Sequence, residues 1–366
     1  MDEPKGDTIV GEAANEPTTE SVPGDAQVAQ GQAAAPVKRA RGSLLRAVLP
    51  IIILGVVLLV LPTFIPSFLQ SLVTKMMIFS IFAMSMNILW GFANIPTFGH
   101  AVFFGAGGYA AGILIFHAGI SNFWLNLVLA VLFAAAVAAL LGFPAFRVYG
   151  VGAGNTNPIY FLLVTLAFGE IAARVAIWAR SLTGGSTGMA GIPYPDLGMG
   201  LKMTPSRYYY LVFIFAVVCI YLMYRIENSH YGYGLRGIHD NERRMQALGY
   251  NTWLYKYTSW VIAGAFGGVA GVLFAYFGGV MTPNSLAMQT SEIGFMAVIL
   301  GGAALFAGPI VGVVLYVGIE YLASLYLPDR WPLILGAMFV VVIMLMRQGL
   351  GPMLLNVWRR LVHGPS

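Results

Sequence analysis

The chain has 366 residues, of which 58% are hydrophobic and only 10% are charged, and its formal net charge is +5. Soluble domains carry about 25% charged residues, so this composition excludes a soluble globular protein. Several apolar windows reach the roughly 18–20 residues that cross a bilayer, which predicts an all-α polytopic membrane protein. A single cysteine, Cys219, lies in an apolar run, so neither a disulfide framework nor a cysteine metal cluster is expected.

Residues 1–40 differ in composition from the rest of the chain. The first 36 contain seven acidic residues and one lysine, no aromatic residue and almost no large aliphatic one. Such a segment cannot bury enough apolar surface to offset the entropy of ordering, so we predict a disordered acidic cytoplasmic tail. No basic stretch precedes an early apolar core, so the pattern is not that of a cleavable secretory signal.

Apolar runs separated by Gly, Pro and polar clusters predict a transmembrane domain over residues 41–366, with about ten helices. Some of these helices are broken by Gly or Pro, and the pattern is compatible with an internal repeat. Glycines four residues apart, such as Gly264 and Gly268, favour close helix packing. The predicted spans are 44–62, 71–90, 98–117, 123–142, 159–179, 207–226, 257–279, 292–306, 308–327 and 331–346.

Basic residues predict the orientation of these spans. With ten crossings, 13 of the 19 basic residues that follow residue 36 fall on one face of the membrane. The positive-inside rule makes that face cytoplasmic. We therefore expect a multi-pass protein of the cytoplasmic (inner) membrane with its N-terminus and C-terminus both in the cytoplasm.

Ionisable residues inside the predicted spans are candidate functional groups, because charge is costly in a bilayer. Glu170 and Arg174 are four residues apart on one helix face and are able to neutralise each other. Glu320 has no evident partner, whereas three others lie near span ends and can reach the interface. The full set is Lys75, His100, His117, Glu170, Arg174, Glu292 and Glu320.

No enzyme motif is recognisable in the sequence. There is no His-Glu-x-x-His, no Gly-x-Ser-x-Gly and no carboxylate cluster, and Thr183-Gly-Gly-Ser-Thr-Gly188 lacks the lysine of a Walker A loop. We therefore expect no catalytic residue, cofactor, metal or nucleic-acid partner, and any ATP hydrolysis belongs to separate subunits. Two transport classes remain: an ion-coupled secondary transporter that uses Glu170 or Glu320, and an ATP-driven permease. A structural or receptor role is a third alternative.

The most concentrated run of charge lies at about residues 236–250, between apolar spans. Asp240 is a predicted N-cap and Gly249 a predicted C′ residue, and they bracket about two helical turns. The segment predicts a short amphipathic helix that docks a cytoplasmic partner; an ordinary solvated loop is the alternative. The predicted apolar face holds Ile238, Met245 and Leu248, and Glu242, Arg243 and Gln246 point elsewhere.

This charged segment carries a family resemblance. Arg236-Gly-Ile-His-Asp-Asn-Glu-Arg-Arg-Met-Gln-Ala-Leu-Gly249 resembles the R-x-I-R-D-N-E-x-A-A-x-A-L-G segment of LivM-type permeases, the membrane subunits of branched-chain amino-acid ABC transporters. Four more segments resemble the family in the same order, although Asn94-Ile-Pro-Thr-Phe98 departs from its more usual serine-leucine approach to Gly-His. They are Phe98-Gly-His-Ala-Val-Phe-Phe-Gly105 with Gly108-Tyr109, Val164-Thr-Leu-Ala-Phe-Gly-Glu170, Thr183-Gly-Gly-Ser-x-Gly-x-x-Gly-Ile-Pro193, and Gly301-Gly302 with Gly308-Pro309-Ile-Val-Gly312.

The resemblance implies an ABC importer permease that works with a second permease, two cytoplasmic ATPase subunits and an extracytoplasmic solute-binding protein. Its solute would be a branched-chain amino acid, with urea, an amide or an aromatic acid as alternatives. The implied ATPase-coupling residues are Arg236, Asp240, Glu242, Arg243, Arg244, Leu248 and Gly249. The implied translocation-pathway residues are Gly99, His100, Phe103, Tyr109, Thr165 and Glu170, and the implied extracytoplasmic loop contains Thr183, Gly184 and Gly185.

Overall fold

The computed structural model describes residues 55, 57–148, 158–198, 203–328, 330–345 and 349–351. The predicted tail, residues 1–40, and most of the first predicted span, 44–62, lie outside the described residues. The polypeptide divides into two units, Met1–Ile53 and Leu54–Ser366, and everything below concerns the second.

The described residues form an almost entirely helical membrane protein, which confirms the predicted fold class. Two short strands, β1 (Met189–Ala190) and β2 (Val280–Met281), pair in antiparallel fashion. In chain order the helices are α1 (Ser67–Ala93), α2 (Ala101–Phe116), α3 (Phe123–Val148), α4 (Pro158–Trp178), α5 (Arg180–Thr183), α6 (Pro205–Glu227), α7 (His230–Ala247), α8 (Thr252–Gly278), α9 (Met288–Gly301), α10 (Gly308–Tyr326) and α11 (Trp331–Leu345).

A helix occurs at each of the nine predicted spans from 71–90 to 331–346 within the described part of the chain. By length and apolarity, α1, α3, α4, α6, α8 and α10 are able to cross a membrane, and α2 and α11 are shorter apolar helices. The predicted span 292–306 extends too far, because α9 ends at Gly301 and Gly302 adopts a φ of 92°. Gly301 and Gly308 contact each other at backbone level, so these glycines form the turn from α9 to α10.

The core is centred on α8, which packs against α1, α2 and α3. Glycines allow this contact at backbone distance: Gly107 of α2 faces the backbone of Gly268, and Gly271 faces the carbonyl oxygen of Phe104. The predicted close packing at the glycine pairs is therefore confirmed. Aromatic rings fill the space beside these contacts, and Trp260 of α8 lies edge-on to Phe103 at a centroid distance of 5.1 Å.

Gly271→Ala tests the importance of this backbone contact. The new methyl group would collide with the carbonyl oxygen of Phe104, and overpacking a core costs about 1–3 kcal/mol. We expect a lower apparent melting temperature for the purified protein in detergent. Gly278→Ala is the matched control in the same helix, because its Cβ would lie 4.0 Å from Val280, an ordinary van der Waals distance. Equal melting temperatures for the two variants would contradict the packing account.

Candidate functional site

Helix α7 contains the charged segment singled out by the sequence, and it is kinked at Asn241, whose φ is −159° and ψ is 97°. The Asn241 side chain accepts a hydrogen bond from the backbone N–H of Arg244 at 2.9 Å, which makes it the N-cap of the second part of the helix. The predicted N-cap, Asp240, is therefore wrong by one residue. The helix also begins earlier than predicted, at His230, with Ser229 as its first cap.

The predicted end of this helix is confirmed. Gly249 has a φ of +86°, which an L-residue with a side chain adopts only with strain. Its backbone N–H donates to the carbonyl oxygen of Gln246 at 2.9 Å, and the N–H of Tyr250 donates to Met245 at 3.1 Å. These bonds satisfy carbonyl groups that the end of a helix leaves open.

The first part of α7 is fixed to its neighbours through polar side chains. Arg236 forms an ion pair with Glu227 at the end of α6, and its guanidinium lies 5.5 Å from the ring centre of Phe92 in α1. The Tyr231 hydroxyl donates to the carbonyl oxygen of Tyr255 at 2.9 Å, and burial raises the pKa of Tyr231 to about 12, so it stays protonated at neutral pH. Arg236 thus holds α7 against the bundle.

The second part of α7 is attached by a second ion pair. Glu242 Oε2 lies 2.8 Å from Lys256 Nζ of α8, and the two side chains are only 15% and 7% exposed. Glu242 therefore points inward, contrary to the predicted outward orientation. Removing one partner of such a buried pair costs about 3–5 kcal/mol, because the other charge stays buried.

The outer surface of this second part is polar and charged. Asp240, Arg243 and Arg244 are exposed, and Leu248 is 67% exposed. The predicted apolar face is therefore formed only in part, since Ile238 is buried whereas Leu248 is not. This leaves two cationic side chains and one leucine available to a neighbouring surface.

A cavity of about 150 Å³ lies at the kink. Its walls come from α7, from Lys256, from Phe161 of α4 and from the segment that links α1 to α2. Asn94 begins that linking segment in the left-handed conformation, with a φ of 55°. The kink, the buried ion pair and the linking segment thus meet around one polar space.

The Gly-His motif after this linking segment joins four helices. His100 Nε2 lies 2.8 Å from Ser85 Oγ of α1. The backbone N–H of Ala101 donates to Ser291 Oγ of α9 at 2.8 Å, and that of Phe98 donates to Thr165 Oγ1 of α4 at 3.3 Å. On the fourth side, a Cβ at Gly267 of α8 would lie 3.4 Å from the imidazole. The motif therefore fixes the relative positions of α1, α4, α8 and α9.

The Ser85 Oγ atom also lies 2.7 Å from the carbonyl oxygen of Phe82, which can only accept. A proton on His100 Nε2 would therefore let Ser85 accept from the imidazole while it donates to Phe82. The other ring nitrogen, Nδ1, is buried with no protein partner among the described residues. His100, Phe103 and Thr165 are each 0% exposed, and Tyr109 is 4% exposed. These predicted pathway residues belong to the packed interior of this subunit.

Glu170 differs from the other predicted pathway residues because it is exposed on α4. It shares one open face of this helix with Arg174, Ile171, Val175 and Trp178, the last of which is 86% exposed. The carboxylate accepts a long hydrogen bond, 3.5 Å, from the backbone N–H of Met288. The predicted Glu170–Arg174 ion pair is not among those formed by the described residues.

Glu320 has a partner that the sequence did not reveal. Lys75 Nζ of α1 lies 3.0 Å and 2.9 Å from its two carboxylate oxygens. The expectation that Glu320 stands alone is therefore wrong. The pair joins α1 to α10, which gives Glu320 a structural role in the bundle.

The Thr183 loop is a compact turn. The Thr183 hydroxyl donates to the carbonyl oxygen of Ala179 at 2.9 Å, while Gly184 and Gly185 have φ values of 79° and 70°. The chain then enters β1, where Met189 pairs with Met281 of β2 beyond the end of α8. The loop therefore lies at the opposite end of α8 from Lys256.

Lys256 and Asn241 are the residues of this arrangement that sequence reasoning missed as site residues. A lysine in the second turn of an apolar helix that follows an acidic and basic helix was a usable signal. No sequence signal distinguished Asn241 from Asp240, because adjacent Asp and Asn are equally good N-caps.

Comparison with known proteins gives a consistent result. Residues 68–343 match the family described as the branched-chain amino acid transport system permease component. The chain is 30% identical over 304 residues to the high-affinity branched-chain amino acid transport system permease protein LivM of Escherichia coli K12, covering 76% of this chain and 69% of that protein.

Two more distant relatives carry similar names. The chain is 25% identical over 283 residues to a probable branched-chain amino acid transport permease protein LivM of Methanocaldococcus jannaschii, covering 68% of this chain and 79% of that protein. It is 22% identical over 288 residues to the E. coli K12 permease protein LivH, covering 74% and 90% respectively.

Proposed function

Because the chain belongs to the family of branched-chain amino acid transport permease components, we propose that it is the membrane-spanning subunit of an ATP-driven ABC importer of the cytoplasmic membrane. The observation that carries this proposal is α7, a charged helix fixed between the apolar helices α6 and α8. An ion pair anchors α7 on each side of its kink, through Arg236 and through Glu242, and Arg243, Arg244 and Leu248 are left exposed. A helix that must receive force from a partner needs both of these properties.

In this proposal the second part of α7 seats in a groove of a cytoplasmic ATPase subunit. Asp240, Arg243, Arg244, Leu248 and the Gly249 turn form the contact surface. Arg236 and Glu242 take a different role from the one expected, because both are engaged in ion pairs within the chain. They transmit force to the bundle instead of touching the ATPase.

The Thr183 loop is proposed to face the opposite, extracytoplasmic side, where it meets the solute-binding protein. Support comes from the length of α8, whose first turns carry Lys256 and whose end adjoins β2. Its 27 residues span about 40 Å at 1.5 Å per residue, which exceeds the roughly 30 Å hydrocarbon core. The Thr183 loop and α7 therefore lie far enough apart to occupy opposite faces of a membrane.

The second permease is proposed to be a related but different chain that packs against α4. E. coli K12 has two relatives of this chain, LivM and LivH, and both are named for a high-affinity branched-chain amino acid transport system. The exposed face of α4 carries Glu170 and Arg174 on an otherwise apolar helix, and charges facing lipid would be costly. A water-containing route between two permeases accommodates them.

The transported solute is proposed to be a branched-chain amino acid delivered by a binding protein, in keeping with the names of the relatives. ATP-driven closure of the two ATPase subunits pushes α7, and the helices rock from an inward-facing to an outward-facing arrangement. The buried motif around His100 holds α1, α4, α8 and α9 together during this movement.

Charge reversal of the exposed arginines tests the ATPase contact. We expect the double variant Arg243→Glu, Arg244→Glu to lose most ATPase subunits on co-purification, with leucine uptake into proteoliposomes falling in proportion. The double reversal replaces attraction between the arginines and the ATPase groove by repulsion. Losing one partner of a buried charge pair at an interface typically costs about 2–5 kcal/mol.

The control for that experiment is Arg225→Glu, an exposed arginine at the end of α6 that lies outside the proposed contact. Melting temperatures close to wild type show that both proteins are folded. Undiminished ATPase co-purification by the double variant, or leucine uptake that needs a proton gradient and no ATP, would overturn the proposal.

Glu170→Gln tests the proposed transport route separately. The amide keeps the shape and removes the charge, so we expect full ATPase co-purification but leucine uptake reduced by about tenfold or more, equivalent to about 1.4 kcal/mol. If Glu170 instead faces lipid, the same substitution should leave leucine uptake unchanged or raise it. Val175→Thr on the same face is the matched control for a polarity change without charge.

A further inference from the structure

We propose that the Glu242–Lys256 ion pair is the positioning element that couples movement of the distal part of α7, residues 241–247, to the core of the bundle. The inference rests on the proposed function, since it concerns how force applied to α7 reaches the transport helices. Neither residue touches the solute in this account.

The first step is the mechanical isolation of the distal part. At Asn241 the backbone leaves the helical conformation, so the hydrogen-bond ladder of α7 is interrupted there. A push on residues 241–247 is therefore not carried along a continuous helix into α6. Polar links from this part to α8 include the ion pair at 2.8 Å and a hydrogen bond from Gln246 to Thr252 at 3.0 Å.

The second step is the burial of the pair. Lys256 is 7% exposed and lies in the second turn of α8, the helix at the centre of the core. An ion pair in a low-dielectric site is much stronger and more direction-dependent than one in water. The pair therefore holds its length when the distal part moves, and α8 moves with it.

The third step is the cavity beside the pair. Its 150 Å³ gives the distal part room to move toward the segment that links α1 to α2. That segment begins at Asn94 and leads within four residues to the Phe98 and Gly99 contacts with Thr165 of α4. Closing the cavity would thus press on a chain that is bonded directly to α4, the helix that carries Glu170.

The test uses the complete transporter in proteoliposomes: this chain, the second permease, the ATPase subunits and the binding protein loaded with leucine. The quantity measured is leucine transported per ATP hydrolysed. Glu242→Gln and Lys256→Met should each lower this ratio by about tenfold, within the range that mutations along a coupling route produce. ATPase subunits should still co-purify in wild-type amounts.

The charge-swap variant Glu242→Lys, Lys256→Glu separates an ion pair from a packing effect. It should restore the ratio to within about threefold of wild type, because the attraction is rebuilt with its direction reversed. Lys75→Met is the matched control. It breaks the 2.9 Å ion pair with Glu320 near the start of α1, away from the cavity at the end of α1, and should leave the ratio unchanged.

Each outcome bears on one proposal only. Wild-type ratios in both single variants, or a swap variant as uncoupled as the singles, would overturn the positioning role. Failure of wild-type protein to recruit any ATPase would instead overturn the proposed function. If Lys256→Met does not fold, Lys256→Arg replaces it in the test. Lys256→Arg keeps the charge and should retain the transport ratio, whereas Glu242→Gln keeps the shape without the charge and should lower the ratio.

Discussion

Close backbone contact along α8 is the constraint on which the rest of this bundle depends. In a bilayer, apolar side chains gain little from leaving lipid, so helices associate through van der Waals packing and interhelical hydrogen bonds. Gly268 and Gly271 give α8 a surface on which α2 packs at backbone distance, and Gly267 leaves room for the His100 side chain. The same surface brings His100 against α8 at Gly267. Packing of the bundle and burial of the Gly-His motif therefore have one origin.

The charged groups of the described residues fall into two kinds according to this arrangement. Those turned toward the bundle are paired: Arg236 with Glu227, Glu242 with Lys256, and Lys75 with Glu320. Exposed charged residues include Asp240, Arg243 and Arg244 on α7 and Glu170 and Arg174 on α4. A membrane subunit that works with soluble and membrane partners needs charge on its outer surfaces. The charges inside the bundle are paired, because an unpaired buried charge would destabilise the core.

Local signals let the sequence predict most helices, the glycine contacts and the end of α7 at Gly249, because periodicity, small residues and a positive φ are properties of neighbouring residues. The kink at Asn241 was missed because two adjacent residues compete as caps. The pairs Glu242–Lys256 and Lys75–Glu320 were missed because tertiary packing brings their members together across 14 and 245 positions. The buried state of His100, where a transport route was expected, likewise depends on four helices meeting.

The proposed coupling requires that α7 faces the cytoplasm, and site-directed labelling measures this directly. Cys219 is buried, and replacing it by serine gives a background in which Leu248→Cys, at an exposed position, is the one thiol. In vesicles from cells that lack the ATPase subunits, a membrane-impermeant maleimide should label this thiol when the vesicles are inside-out and leave it unlabelled when they are right-side-out. Labelling in right-side-out vesicles alone would place α7 outside the cell and contradict the proposed coupling.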